Sequence, residues 1–256
     1  MDELFDTLGQ FFSRFVEYAP LFLEATWLTL SLTAVSLLMA MVGGAAIAAL
    51  AVSKVRPLRW FATAYIGLVR GTPLITQIFI IYFGLAYVVT LPAFWAGAIA
   101  LAFHNSAYIA EIIRAGFQSV PKGLTEASRS LGMSKVKTLK RVQAPLALRT
   151  TLPVLGNQYI IAVKDSSLVA FIGMSELFRT SQNMAASTYQ PLTAYIVVAI
   201  YYLAIVLVLT VVVNWLERRL SKHKRPVVGG EQDAAQDDLA GPLSTVGKTG
   251  SEGSMR

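Results

Sequence analysis

Long apolar stretches constrain this chain more than any other feature of its sequence. A helix needs about 20 apolar residues to cross the hydrocarbon core of a bilayer, and five stretches are long enough: residues 21–52, 60–91, 92–115, 151–172 and 192–216. Hydrophobic residues make up 55% of the chain and charged residues only 14%, whereas a soluble domain carries about 25% charged residues. The sequence therefore predicts an all-α, polytopic membrane protein with five transmembrane helices.

Basic residues are concentrated in three connecting segments, which sets the predicted orientation. Residues 53–59, 119–149 and 217–225 hold the basic excess behind the formal net charge of +7, whereas residues 1–20 and 173–193 do not. Because short basic loops stay in the cytoplasm, the N-terminus is predicted outside and the C-terminus in the cytoplasm. The same distribution explains the charge without a nucleic-acid partner, which a basic soluble domain would suggest.

The two ends differ from the apolar middle of the chain. Residues 1–20 are acidic and amphipathic and predict an interfacial segment on the outer face, with a frayed terminus as the alternative. Residues 21–220 form the predicted transmembrane domain, and residues 221–256 are a polar cytoplasmic tail with a composition typical of disorder. Residues 246–249 (Val-Gly-Lys-Thr) resemble the end of a phosphate-binding loop, but Pro242 stands where its first glycine belongs. The chain itself is therefore not expected to bind ATP.

Charged and polar side chains interrupt the predicted spans at a few positions. Arg70, Glu111, Lys164 and Asp165 each cost free energy in hydrocarbon, and such residues are retained where they face a bundle interior or a pathway. Asp165 is followed by Ser166, which places a hydroxyl beside a carboxylate near the middle of the predicted fourth span. This combination favours a path for a zwitterionic or cationic solute. A buried polar network between helices is the alternative.

The second apolar stretch contains a helix-breaking sequence. Residues 70–73 are Arg-Gly-Thr-Pro; proline removes a helical hydrogen bond, and glycine weakens the helix beside it. Freed carbonyls at that depth are tolerated where they are buried or line a cavity. Gln77 follows one turn later. The segment predicts a discontinuous helix of the kind that frames solute sites, with a kink that only packs as the alternative.

The segment of residues 119–149 contains the signals for two short cytoplasmic helices. Pro121 suits the start of a helix, Gly132 suits its left-handed end, and Ser134 suits the cap of a second helix. A short helix that is closed by glycine and flanked by basic residues predicts a docking knob for a partner on the cytoplasmic face.

Residues that support enzymatic or metal chemistry are scarce. The chain has no cysteine and only two histidines, His104 and His223, which lie in separate regions. Neither a zinc-binding helix motif nor a nucleophile elbow occurs. The sequence therefore predicts neither an enzyme nor a metal site.

The docking knob resembles a known sequence pattern. Three elements together are similar to the EAA loop: residues 126–128 (Glu-Ala-Ser), then Gly132 after three intervening residues, and then residues 142–145 (Val-Gln-Ala-Pro) after nine more. This loop belongs to the membrane subunits of ATP-binding-cassette (ABC) importers. Ser128 replaces the second alanine of the pattern, and the spacing is intact.

Three further segments narrow the resemblance. Residues 69–74, 108–116 and 164–168 resemble the polar amino-acid permeases of that superfamily, of the histidine, glutamine and arginine type. The resemblance covers about residues 20–220, in matching order. It implies a permease subunit of an importer that carries a polar or charged amino acid across a bacterial inner membrane.

The resemblance also implies partners. Two permease subunits, either identical copies or paralogues, would form the pore, and an extracytoplasmic binding protein would deliver the amino acid. A cytoplasmic ATPase dimer would hold ATP and Mg, so that this chain would bind no cofactor. The residues of the docking knob implied to contact the ATPase are Glu126, Ala127, Ser128, Leu131, Gly132 and Met133.

The predicted substrate pathway combines the polar residues of the spans. Its members are Arg70, Thr72, Gln77, Asn105, Glu111, Lys164, Asp165 and Ser166. Carboxylates would hold an ammonium group and Arg70 or Lys164 the α-carboxylate, which leaves the identity of the amino acid open. The alternative is an ion-coupled secondary transporter with Glu111 and Asp165 as proton carriers. Five spans without an internal repeat do not make a complete transporter of that kind.

Overall fold

The structure is a computed structural model that describes residues 2–221, and all regular structure in that range is helical. Within it, nine α-helices follow one another: α1 (Asp2–Ala51), α2 (Arg56–Gly71), α3 (Leu74–Ala86), α4 (Ala93–Gln118), α5 (Lys122–Ser130), α6 (Lys135–Thr138), α7 (Ala144–Asp165), α8 (Leu177–Thr188) and α9 (Pro191–Ser221). A π-helical turn (Leu139–Gln143) joins α6 to α7, and a 3₁₀ segment (Ser166–Ile172) follows α7. From residue 222 onward, the predicted tail, including residues 246–249, lies outside the range that the structure describes.

Three of these helices are long and apolar enough to cross a membrane. They are Phe11–Ala51 within α1, Ala93–Gln118 (α4) and Pro191–Arg219 within α9. Helices α2 and α3 qualify together and make a fourth span if the bent pair counts as one. Helix α7, which contains Lys164 and Asp165, is not among them. By length and composition the described residues thus hold three or four spans, and the fifth span and the orientation remain predictions.

Helix α1 is one continuous helix of 50 residues that passes through Pro20. The predicted boundary between an outer-face segment of residues 1–20 and the first span is therefore not a break in the helix. Further along, Thr29 and Thr33 are fully buried, and the Thr33 hydroxyl donates to the Thr29 carbonyl at 2.9 Å. This bond within the helix satisfies the hydroxyl without a partner on another helix.

Helix α4 is the central helix, and small residues let its neighbours approach it. A β-carbon at Gly44 of α1 would lie 2.7 Å from Cγ2 of Ile109, and one at Gly116 of α4 would lie 2.1 Å from Cγ2 of Thr151 in α7. Between helices in lipid, close contact replaces the hydrophobic driving force that water supplies. Helix α4 is thus held directly against both α1 and α7.

Two apolar clusters fix the remaining elements. One packs α3, α4 and the 3₁₀ segment together, with Ile78 and Leu101 fully buried. The other joins α1, α8 and α9, where the Phe22 ring stacks on Tyr201 at 5.0 Å between centroids. The polar residues described below therefore lie on helices whose opposite faces are packed in these apolar clusters.

Candidate functional site

The helix break predicted at residues 70–73 is present, and one side-chain amide closes it. Helices α2 and α3 meet there at a bend of 109°. The amide nitrogen of Gln77 lies 2.8 Å from the Val69 carbonyl oxygen and 2.7 Å from the Thr72 hydroxyl. Because a break leaves such backbone groups without helical partners, Gln77 replaces hydrogen bonds that the helix loses.

The same amide ties the break to α4. Its oxygen lies 3.0 Å from Nδ1 of His104, and both side chains are buried. The Thr72 hydroxyl in turn donates to the Leu68 carbonyl at 2.9 Å. Gln77 and Thr72, which the sequence places in the substrate pathway, thus have their polar atoms engaged in holding the break.

A charged cluster lies beside the break, formed by Arg70, Glu111 and Arg114. Both carboxylate oxygens of Glu111 accept from Arg114, at 2.9 Å from Nε and 2.7 Å from NH2. The Arg70 guanidinium is 3.7 Å from Glu111 Oε2 and 5.6 Å from the centre of the Tyr108 ring. All three charged side chains are partly exposed, so the cluster is open to solvent or a solute. It holds two cations and one anion.

Asn105 of α4 forms a contact with α7 and not with the charged cluster. It is fully buried; its amide donates to the Leu101 carbonyl at 2.8 Å, and its oxygen accepts from Gln158 at 2.8 Å. This bond connects α4 to α7 and satisfies both polar side chains in the interior. For Asn105, therefore, the structure shows the interhelical polar contact that was the alternative for these buried residues.

The end of α7 and the 3₁₀ segment contain the remaining predicted residues. Ser166 is buried and donates to the Val163 carbonyl at 2.7 Å, so its hydroxyl is occupied by its own helix. Lys164 is exposed and borders an open groove of about 460 Å³ between this segment, α8 and α9. The groove is lined by Lys164, Ser167, Phe178, Tyr195, Val198, Ala199 and Tyr202. Asp165, the next residue after Lys164, is half-buried and is not among the residues that line the groove.

The docking knob has the predicted helix with a glycine end. Helix α5 ends in a Schellman motif: Gly132 adopts a φ of +78°, its N–H donates to the Arg129 carbonyl at 3.0 Å, and the Met133 N–H donates to the Ser128 carbonyl at 3.1 Å. Glycine is favoured here because a β-carbon would be strained at this φ. Leu131, beside it, is 83% exposed. Ser134 caps α6 as predicted, by accepting from the Lys137 N–H.

Hydroxyl and amide side chains fasten α5 to the helices that follow it. Ser128 is buried; its hydroxyl donates to the Thr125 carbonyl at 2.8 Å and lies 3.4 Å from the Thr138 hydroxyl. The Gln143 amide donates to the Thr125 hydroxyl at 3.1 Å. Ser128 therefore lies on the inner face of α5, whereas Glu126 and Ala127 are exposed. Only part of the predicted docking set faces outward.

Most of this chain matches one protein family. Residues 40–222 match the model described as "Binding-protein-dependent transport system inner membrane component". The chain belongs to this family. The resemblance carried by the EAA loop is thereby confirmed, and the protein is a membrane component of a transport system.

Curated relatives and a solved structure agree with this membership. The chain is 41% identical over 206 residues to the L-cystine transport system permease protein of Bacillus subtilis (strain 168), covering 80% of this chain and 88% of the relative. It is 34% identical over 214 residues to the arginine transport system permease protein of the same organism, covering 83% and 98%. A crystal structure described as an amino acid ABC transporter with histidines matches at 40% identity and a TM-score of 0.76, covering 80% and 96%.

In this transport component, direct contacts divide the predicted substrate pathway into separate groups. Arg70 meets Glu111, and Thr72 meets Gln77. Within residues 2–221, neither hydrogen bonds nor ion pairs join these groups to Asn105 or to the Lys164–Ser166 stretch. The structure thus brings together two pairs of the predicted residues and leaves the others in contacts of their own.

One buried carboxylate of the component is missing from the predicted site. Glu176 is fully buried; it caps α8 by accepting from the Phe178 and Arg179 N–H groups, each at 2.8 Å, and it accepts from the Tyr202 hydroxyl at 3.0 Å. Burial raises its pKa to about 7, although these three donors act in the opposite direction. The sequence carries no clear signal for this role, because glutamate is not among the residues that N-caps prefer.

Arg114 and Gln158 are two further polar partners that the predicted pathway omits. Arg114 binds Glu111 through both carboxylate oxygens. The spacing of three residues on one helix is the signal for this pair. Gln158 lies on α7, and the sequence has no local feature that joins it to Asn105 on α4.

Proposed function

We propose that this chain is the permease subunit of an ABC importer that moves a polar or charged amino acid across the bacterial inner membrane. The family match supports the transport role. The amino-acid class is supported by relatives named for cystine, glutamine and arginine transport, each at least 34% identical. The named relatives and the matched ABC transporter favour ATP coupling over the ion-coupled alternative.

The observation that carries the coupling role is the closed end of α5. The Schellman motif at Gly132 fixes a short helix whose exposed face presents Glu126, Ala127 and Leu131. A rigid helix with an exposed leucine at its tip fits a groove on a cytoplasmic ATPase subunit, because little conformational entropy is lost on docking. Ser128 contributes from the inner face, by bonding α5 to α6, and Met133 contributes its N–H to the motif.

The proposed solute path runs past the charged cluster and the Lys164 groove. Glu111 offers a carboxylate to an ammonium group, while Arg70 and Lys164 offer cations to an α-carboxylate. Arg70 suits this role because it lies beyond hydrogen-bonding distance of Glu111. Asp165, next to Lys164 in the chain, is a second candidate carboxylate. Gln77, Thr72, Asn105 and Ser166 support the path by holding the helices that form it.

The proposed assembly follows from the same role. Five spans, with α7 and the 3₁₀ segment as the fourth, place the N-terminus outside and α5 in the cytoplasm, in accord with the basic loops. A second copy or a paralogue completes the pore, and an ATPase dimer holds ATP and Mg. A binding protein outside supplies the amino acid.

Paired glycine substitutions in the complex with its ATPase subunits test the coupling role. Gly132→Ala places a β-carbon at a left-handed φ, which costs roughly 1–2 kcal/mol, and we expect substrate-stimulated ATP hydrolysis to fall several-fold. Gly123→Ala at the other end of α5 is the matched control, since its β-carbon meets nothing within 4 Å. Equal hydrolysis by the two variants would contradict docking through the closed end of α5.

A further inference from the structure

Two guanidinium groups compete for one carboxylate in the charged cluster. Arg114 uses two nitrogen atoms to occupy both oxygens of Glu111, at 2.9 and 2.7 Å. The nearest nitrogen of Arg70 is 3.7 Å from Oε2, which is too long for a hydrogen bond. In this conformation Glu111 is therefore hydrogen-bonded within its own helix, and Arg70 of α2 lies at ion-pair distance from it without a hydrogen bond.

The two arginines belong to parts of the chain that connect to different places. Arg70 is in the last turn of α2, directly before the break. Arg114 is in the last turns of α4, and its other guanidinium nitrogen donates to Gln118, the final residue of that helix, at 3.0 Å. Helix α5 begins at Lys122, so α4 leads directly into the docking knob.

The end of α4 is also packed against α7, on the other side of the knob. The space at Gly116 is so small that a β-carbon there would lie 2.1 Å from Cγ2 of Thr151. The two helices that flank the docking knob are therefore closely packed at this level, with Thr151 of α7 against the backbone of α4 at Gly116. Because only three residues separate α4 from α5, a displacement of α5 would act on the segment of α4 that holds Arg114.

The side chains have room and alternative partners for an exchange. The exposed fractions are 48% for Arg70, 37% for Arg114 and 28% for Glu111, so each side chain can rotate. Arg114 keeps its bond to Gln118 when it leaves the carboxylate. Arg70 already lies over the ring of Tyr108, one turn before Glu111, and needs to approach by only about 1 Å to reach hydrogen-bonding distance.

We propose that Glu111 exchanges Arg114 for Arg70 during the transport cycle, so that a direct hydrogen bond between Arg70 and Glu111 joins α2 to α4 in one conformation and is absent in the other. This rests on the proposed function as an ABC permease, because docking of an ATPase at α5 supplies the displacement. Arg70 and Arg114 then have opposite effects on the pairing of α2 with α4. Removing Arg114 favours the pair between α2 and α4, and removing Arg70 abolishes it.

Spin-label distances in the complete complex test the exchange. The chain contains no cysteine, so Leu68→Cys on α2 and Phe117→Cys on α4, both at exposed positions, take labels selectively when the ATPase subunits are cysteine-free. Labelled copies are diluted with unlabelled ones to isolate distances within one chain. Distances are recorded without nucleotide and with trapped ATP, in parallel with ATP-dependent uptake.

We expect Arg114→Gln to raise the ratio of short to long distances about threefold without nucleotide, which is the range for a partly exposed ion pair. Arg70→Gln is expected to lower the short population with trapped ATP by a similar factor, and Arg70→Lys to restore it in part. Arg59→Gln, an exposed cation at the start of α2, is the control. Shifts in the same direction for Arg70→Gln and Arg114→Gln, or no shift in either, would overturn the exchange.

The two readouts separate this inference from the proposed function. A complex that shows ATP-dependent uptake but no opposite shifts retains its function and rejects the exchange. Opposite shifts in a complex without ATP-dependent uptake support the exchange and reject the ABC permease role.

Discussion

Hydrogen bonds hold together both the docking knob and the polar interior, but the bonded residues are much further apart in sequence in the interior than in the knob. In the knob, Thr125 and Gln143 are 18 positions apart, and that is the longest of its side-chain bonds. In the interior, Gln77 bonds a residue 27 positions away, and Asn105 one 53 positions away. The knob is a local structure that the chain forms along its own length, whereas the interior exists only once the helices have packed.

The comparison predicts that changes at helix contacts outweigh changes in the knob, and Gly116→Val is expected to have the largest effect. A side chain there meets Thr151 and the Ala147 carbonyl, and overpacking costs about 1–3 kcal/mol. We expect the melting temperature of the purified protein to fall by several degrees. Gly84→Val in α3 is the control, because a β-carbon at Gly84 meets nothing within 4 Å.

A second substitution sharpens this test. Thr151→Ser removes the Cγ2 atom that a β-carbon at position 116 would meet and retains the hydroxyl. Gly116→Ala should therefore recover part of its lost stability when it is combined with Thr151→Ser. Additive losses in the double variant would show that this contact does not set the distance between α4 and α7.

Gln77→Leu is expected to destabilise the interior next most strongly. It leaves the Val69 carbonyl and the His104 ring without their partner, and an unsatisfied buried polar group costs about 1–3 kcal/mol. Gln182→Leu is the matched control, since Gln182 bonds only the exposed Arg179 side chain. Thermal unfolding in detergent measures the difference, and equal melting temperatures for the two variants would remove Gln77 from the account of the break.

Glu176 is expected to make the stability of the interior depend on pH. Its pKa is about 7 in the folded protein against an ordinary value of 4.5, so the folded state retains a proton that the unfolded state releases. Its contribution to stability is therefore fully present below pH 4.5 and is lost as the pH rises through 7. We expect Glu176→Gln to flatten the fall in melting temperature between pH 5 and 8. A slope unchanged from that of the parent protein would exclude Glu176 as its source.

Thr138→Val should have the smallest effect, below about 1 kcal/mol. The Ser128 hydroxyl lies 3.4 Å from Thr138 and also donates to the Thr125 carbonyl at 2.8 Å, so the loss of one weak partner leaves it satisfied. Substrate-stimulated ATP hydrolysis should stay within about twofold of the parent value. A large loss of ATP hydrolysis would mean that the knob, like the interior, depends on each of its side-chain hydrogen bonds.

The same difference in sequence separation explains which features of this structure could be predicted from the sequence. Gly132 and Ser134 were predictable because a left-handed helix end and a helix cap are decided by the residue itself and its nearest neighbours. The break before Pro73 was predictable for the same reason. The sequence could not show that Gln77 closes the break, since its partner His104 comes to it only through the packing of α3 on α4.

The contacts of the residues in the predicted substrate pathway were harder to predict than those of the knob for a related reason. From the sequence, polar residues within spans can be grouped only by their depth. In the structure, the helix face on which each residue lies decides which partners it contacts. Asn105 faces α7 and Ser166 folds onto its own helix, while Arg70 and Glu111 do meet. Glu176 lies between two predicted spans, and its local sequence does not show its hydrogen bond to Tyr202, which lies 26 positions further along the chain.

Amino-acid uptake into vesicles tests the central claim most directly. The complete complex, reconstituted with its ATPase subunits and a binding protein, is offered labelled cystine, glutamine or arginine with no ion gradient. The account predicts uptake of at least one of them that requires ATP and is reduced several-fold by Gly132→Ala but not by Gly123→Ala. Uptake that proceeds without ATP and follows an imposed proton gradient would contradict the account.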